Sequence, residues 1–176
     1  MTAWLRQILL PVMLGAALPN LVFAANQAPA SNSAGVAIIG PSGTAITLNP
    51  VQILALPAIT VNAAFETEHG PFKAVFSGPL LWTILGATSS INPKAPKLLL
   101  REFALVTGSD GYSALLALAE IAPEFEDKNV ILATKMNGKY LGARHFRIVV
   151  PGDRKGGRSV RDVVRIAVSI SGSPKP

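Results

Sequence analysis

Two segments of apolar alternation dominate the C-terminal third of the chain. Over residues 146–170, Phe146, Ile148 and Val150 share one face, then Val164, Ile166, Val168 and Ile170 share another. A period of two marks half-buried strands. The same alternation predicts strands over 44–48 and over 59–65, where Ile59, Val61, Ala63 and Phe65 share a face. A polar turn over 66–71 joins the latter to a hairpin partner at 72–76. Further strands are predicted over 101–106 and 130–133, and Asn137-Gly138 is a two-residue hairpin signal leading into 139–141. Asn49 and Pro50 form a cap and first-turn proline for a helix over 51–56, ended by Pro57. Ser77, Gly78 and Pro79 start a helix over 80–85 closed by Gly86, a loop follows over 88–96, and 115–121 reads as a short helix ended by Pro123. About seven short strands and two or three short helices make an α+β domain built mainly on mixed sheet.

The ends of the chain read differently. Residues 1–24 carry a cationic start at Arg6, a short apolar run broken by Pro11 and Gly15, and small residues at Val22-Phe23-Ala24. That is the pattern of a cleaved signal peptide. Arg6 stands without a second arginine, which points away from twin-arginine export. Residues 25–43 read as a flexible leader, 44–170 as the domain and 171–176 as a tail. No later segment is long and apolar enough to span a membrane, so the expectation is a soluble periplasmic protein.

Composition removes several chemistries. There is no cysteine, so thiolate metal sites and thiol nucleophiles are excluded. The two histidines, His69 and His145, lie far apart without a carboxylate cluster in sequence, and no metal site is expected. The formal charge is +6, and the excess falls after Lys128. Export, and the lack of aromatic residues among the basic ones, argue against nucleic acid.

Two stretches carry candidate chemistry. The loop between the last two strands holds Arg154, Lys155, Arg158 and Arg161 among Gly152, Gly156 and Gly157. It reads either as an anion or polar-heterocycle site or as a solvated basic loop. Ser109, Asp110, Tyr112 and Ser113, bent by Gly108 and Gly111, place polar groups at a strand terminus. They line a pocket or form an Asx turn capped by Asp110. A hydrolase using Ser109 or Ser113 with His145 needs a carboxylate to orient the base.

Asp110-Gly111-Tyr112, Asn137-Gly138-Lys139-Tyr140-Leu141, Arg147-Ile148-Val149-Val150-Pro151-Gly152 and Gly157-Arg158-Ser159-Val160-Arg161 occur in an order that resembles the oxidoreductase molybdopterin-binding domain, the sulfite oxidase catalytic-domain fold. In such enzymes a cysteine thiolate ligates molybdenum, and this sequence lacks it. The chain is more similar to the small exported pterin-binding proteins of that fold, which control membrane-bound cyclic-di-GMP enzymes. The resemblance implies a non-catalytic protein that binds a reduced pterin and reports it to the periplasmic domain of a membrane-bound cyclase or phosphodiesterase. The alternative is a molybdopterin-dependent oxidoreductase with non-cysteine molybdenum ligation. For a pterin, Asp110 is the first carboxylate for the donor edge and Glu120 the second. Trp82 or Tyr112 supplies a stacking face, unless Trp82 is core, and Ser113 adds a polar group beside them. Arg158, Ser159 and Arg161 match the family loop that holds the cofactor's pterin or phosphate.

Overall fold

A computed structural model of the chain describes residues 34–172. The expected signal peptide, the leader up to residue 33 and the last four residues lie outside the described residues.

Eleven strands and four short α-helices are described. In chain order they are β1 (Val36–Ile39), β2 (Ala45–Leu48), α1 (Pro50–Ala55), β3 (Ala58–Thr67), β4 (Gly70–Pro79), α2 (Leu81–Ala87), α3 (Pro96–Leu99), β5 (Glu102–Gly108), β6 (Ser113–Ala117), α4 (Leu118–Ile121), β7 (Ile131–Ala133), β8 (Lys135–Met136), β9 (Lys139–Tyr140), β10 (Arg147–Val149) and β11 (Val163–Ile170), with a 3-10 turn at Gly156–Arg158 before β11. They form a mixed α+β fold with three sheets, in the orders β2-β1-β11-β5-β6, β10-β7 and β3-β4-β8-β9.

Local chemistry explains most boundaries. Asn49 accepts a hydrogen bond from the Gln52 N–H, and the Gln52 side chain accepts one from the Asn49 N–H, so α1 starts on a complete capping box. Asn137 and Gly138 both take positive φ and turn β8 into β9. The hairpin β3–β4 keeps unbroken register from Ala58↔Pro79 to Thr67↔Gly70.

Two expectations are corrected. Residues 36–39, expected within the leader, form β1, which pairs in parallel with β11 and antiparallel with β2. Val36 and Ile38 are buried in the core, and parallel pairing to the end of the chain makes this strand integral. The helix expected over 115–121 is strand to Ala117 and helix only over Leu118–Ile121. Ala114 and Leu116 point inward while Leu115 is exposed, and pairing with β5 from Thr107↔Ser113 to Phe103↔Ala117 fixes the alternation. In β11 a bulge between Val163 and Arg165 shifts the facing, so Val163 is buried with Ile166 and Val168 while Val164 is exposed; Ile170, at the end of the strand, is exposed as well.

The small sheet β10-β7 lies between two cores. Ile148, Val150, Val130 and Leu132 join the larger cluster with β1, β5, β6, β11 and α2. Val149, Ile131 and Ala133 join the smaller one with Val61, Phe65 and Phe76 of the long hairpin. Burial on both faces explains the unbroken apolar run over 130–133. β10 feeds directly into the basic loop, so both cores anchor that loop.

One buried group opposes the fold. Glu102 is 3% exposed, and its Oε2 has no hydrogen-bond partner among the described residues. Burial raises the pKa of its carboxyl above the ordinary value. The folded state therefore holds this proton more tightly than the unfolded chain, and stability falls as pH rises through the interval above 4.5. Glu102→Gln is expected to leave stability nearly unchanged at the acid end. Towards neutral pH it should gain about 1 kcal/mol, on the scale of an unsatisfied buried polar group. Urea melts across pH check this, and parallel profiles for the two proteins would refute it.

Candidate functional site

The turn between β5 and β6 and the loop over 150–162 meet at one end of the five-stranded sheet. Three contacts pin them. The Ser109 N–H donates to the Asp162 carbonyl at 2.9 Å, and the Tyr112 hydroxyl donates to the Gly157 carbonyl at 2.5 Å. A Cβ on Gly108 would lie 2.6 Å from the Arg161 carbonyl oxygen, so only glycine allows the third, backbone-to-backbone approach.

Asp110 forms the Asx turn. Its Oδ1 accepts the Tyr112 N–H at 2.9 Å, and Gly111 follows with positive φ. Its other oxygen has no protein hydrogen bond among the described residues, so the turn uses half of an exposed carboxylate. The Tyr112 ring beside it is 51% exposed, with only the hydroxyl tied down. Ser113 shares a hydrogen bond of 2.9 Å with Thr107 across the strand pair and lies exposed. Arg161 is exposed and has no ion-pair partner among the described residues.

Arg158 and Glu120 are brought together, but as partners of each other. The Arg158 guanidinium grips Asp153 with Nε and Nη2 at 2.9 and 2.6 Å, and its Nη1 donates to both Glu120 oxygens at 3.1 and 2.8 Å. The Asp153 hydrogen bond is the main cause of a guanidinium pKa above its ordinary value, and burial works against it. Glu120 also faces Lys128 at 3.8 Å. Arg158 therefore has its charge matched by two carboxylates, and the view of the basic loop as purely a surface feature does not hold for it. Gly156 is likewise packed: a Cβ there would lie 2.8 Å from the Phe65 ring.

Arg158 ties the loop to α4. Forked, charge-assisted hydrogen bonds are stronger than neutral ones, but the side chain remains 32% exposed and solvent screens part of the effect. Arg158→Met is expected to cost about 1–2 kcal/mol. The exposed pair Arg154→Ala with Lys155→Ala should change stability by less than about 0.5 kcal/mol. The Arg154 carbonyl, which accepts the Glu66 N–H, survives that change. Thermal melts of the two variants check the contrast, and equal losses would contradict it.

Ser159 is positioned by structure. Its hydroxyl donates to the Ile148 carbonyl at 3.0 Å and accepts from Arg147 Nε at 2.9 Å. Arg147 is a residue that sequence reasoning did not single out. Its guanidinium sits 5.7–5.8 Å from the centroids of Phe65, Phe72 and Phe76. Burial first, then the nearby Arg161, lowers its pKa, with Asp162 acting in the opposite sense. The available signal was an arginine in an apolar strand together with three phenylalanines on one predicted hairpin. Trp82 is partly buried against the larger core, as are Leu48 and Leu56. His145 has one carboxylate after all, Asp162 at 2.8 Å from Nδ1.

The site does not fit a thiolate-ligated molybdenum centre. The sequence has no cysteine, and the described residues hold no group of three or more His, Asp and Glu side chains placed for a metal. What it offers a ligand is one carboxylate oxygen, a phenol ring face and an exposed guanidinium at a sheet terminus.

The family model for the oxidoreductase molybdopterin binding domain matches residues 36–176. Among solved structures the chain is similar to the sulfane dehydrogenase SoxCD from Paracoccus pantotrophus, with a TM-score of 0.60 and 18% sequence identity. That similarity covers 77% of this chain and 38% of that one, so the chain spans well under half of that protein's length. At this identity the likeness shows the fold. No curated protein matches the chain.

Proposed function

The chain belongs to the oxidoreductase molybdopterin-binding domain family, and from that premise we propose that it is a pterin-binding protein without a molybdenum centre. The observation that carries this reading is the pinned junction at the sheet end. It presents the free oxygen of Asp110, the Tyr112 ring and Arg161 from two segments held rigidly together. A reduced pterin has a flat face and an edge with N–H and amino donors. A carboxylate accepts from that edge, an aromatic ring covers the face, and an arginine at the rim takes a hydroxyl or phosphate substituent. Asp110, Tyr112 and Arg161 have these three roles, with Ser113 beside them. Glu120, Arg158 and Ser159 hold the surrounding loop. Trp82 contributes to packing of the larger core.

In the same proposal the protein is exported to the periplasm and acts by contact. Ligand binding changes its affinity for the periplasmic domain of a membrane-bound cyclic-di-GMP cyclase or phosphodiesterase. A coupling of this kind requires different contacts with partner in the free and bound states.

The second reading is a molybdopterin-dependent oxidoreductase with a non-cysteine ligand to the metal. The family description and the likeness to a sulfane dehydrogenase favour it, and the lack of any cysteine weighs against it. Elemental analysis of protein purified from the periplasm separates the two. The proposal expects no stoichiometric molybdenum and no sulfite oxidation, and about one molybdenum per chain would establish the second reading.

A further inference from the structure

The geometry points to a strand-docking site on the free edge of β3, and we propose that it receives an extended acidic segment of a partner protein. This inference stands on the edge alone and does not depend on the pterin reading. β3 is the outer strand of its sheet and pairs with β4 along all ten residues without a bulge. On its other side the only ladder contact among the described residues is at one end. There the Glu66 N–H donates to the Arg154 carbonyl at 2.9 Å, and Glu66 bridges to Lys155 in parallel. Since Glu66 aims its backbone outward, Ala64, Asn62, Thr60 and Ala58 do so too. Their N–H and C=O groups form a row that lacks backbone partners among the described residues. Proteins usually blunt such an edge with lysine, proline or a bulge, and residues 58–65 contain none of these.

The surroundings select the occupant. Lys73 lies opposite Ala64 on the exposed face, and Arg154 and Lys155 flank the Glu66 end. None of these three cations has an ion-pair partner among the described residues. On the exposed face beside this edge, Asn62, Ala64, Lys73, Val75 and Asn137 line a shallow concavity of about 410 Å³. Glu66 and Glu68 are exposed at the same end and offset part of this charge, but the three cations leave it net positive, which an acidic segment complements. Main-chain pairing then supplies affinity, and the charges supply selectivity.

The test uses the whole protein with synthetic extended peptides of alternating valine and threonine, one series carrying glutamates and the other lysines. Hydrogen exchange of wild type should show the amides of Thr60, Asn62 and Ala64 slowed by the glutamate peptide and not by the lysine peptide. Asn62→Pro removes one outward N–H at an edge position where sheets accept proline. It should weaken binding at least about tenfold, with Asn62→Ala within about twofold. Should Asn62→Pro fail to fold, the wild-type exchange pattern decides by itself. Protection elsewhere, equal binding of the lysine series, or undiminished binding by a folded Asn62→Pro would overturn the proposal. A dimer in sedimentation that Asn62→Pro abolishes would also overturn it, assigning the edge to a second copy.

Discussion

Gly78→Ala is expected to lose about 3 kcal/mol or more of stability, which for a domain of marginal stability is enough to leave much of it unfolded. Gly78 is where the end of β4 crosses β7. The Thr134 N–H donates to the Ser77 carbonyl at 2.9 Å, the Leu81 N–H donates to Val130 at 2.8 Å, and Leu80 bridges to Ile131. A Cβ at Gly78 would overlap the Leu132 carbonyl oxygen and lie 2.8 Å from Ala133 Cα. These obstacles are backbone, so no rotamer change relieves the overlap; the strands themselves must separate. Separation opens the seam between the two cores, since Leu132 belongs to one and Ala133 to the other. Overpacking in a core costs about 1–3 kcal/mol when side chains can adjust, and a rigid backbone obstacle sets the expectation at the top of that range or above. Circular dichroism melts check it, and a native-like midpoint would show that the crossing is looser than described.

Asp110→Asn is expected to weaken reduced-pterin binding roughly ten- to a hundredfold with little change in stability. A hydrogen bond to a charged group contributes about 1.5–3 kcal/mol, which converts to that loss of affinity. The structure sharpens the choice of substitution. Asparagine keeps an Oδ1 that can accept the Tyr112 N–H, so the turn survives. It replaces the other oxygen with an amino group, which faces the pterin donors with another donor. A residue serving only its turn would show unchanged affinity.

Legibility followed the range of the interactions. The N-cap at Asn49, the Asn137-Gly138 turn and the β3–β4 hairpin are local, and sequence alone located them; the return bond from Gln52 that completes the capping box was not read. β1 was missed because four residues beside a polar leader become a strand only through parallel pairing with β11 at the far end of the chain. The start of the run over 115–121 was misread as helix because its inward Leu116 and outward Leu115 are distinguished by pairing to β5, which no local pattern encodes. At the candidate site, the Asx turn of Asp110 follows from three neighbouring residues. The state of Arg158 was not legible. Asp153 is five positions away, but Glu120 lies 38 positions away and meets the guanidinium only once α4 and the loop are folded together. The stack of Arg147 on three phenylalanines depends in the same way on β10 packing against the hairpin.

On the proposal made above, this domain binds a reduced pterin through the junction of the β5–β6 turn with the 150–162 loop. Anaerobic calorimetric titration of the wild-type protein with a tetrahydropterin, with Asp110→Asn alongside, measures it directly. Saturable binding by wild type, weakened at least about tenfold in the variant, is the predicted result. No binding by wild type would contradict the claim, and equal affinity in the variant would remove Asp110 from the site.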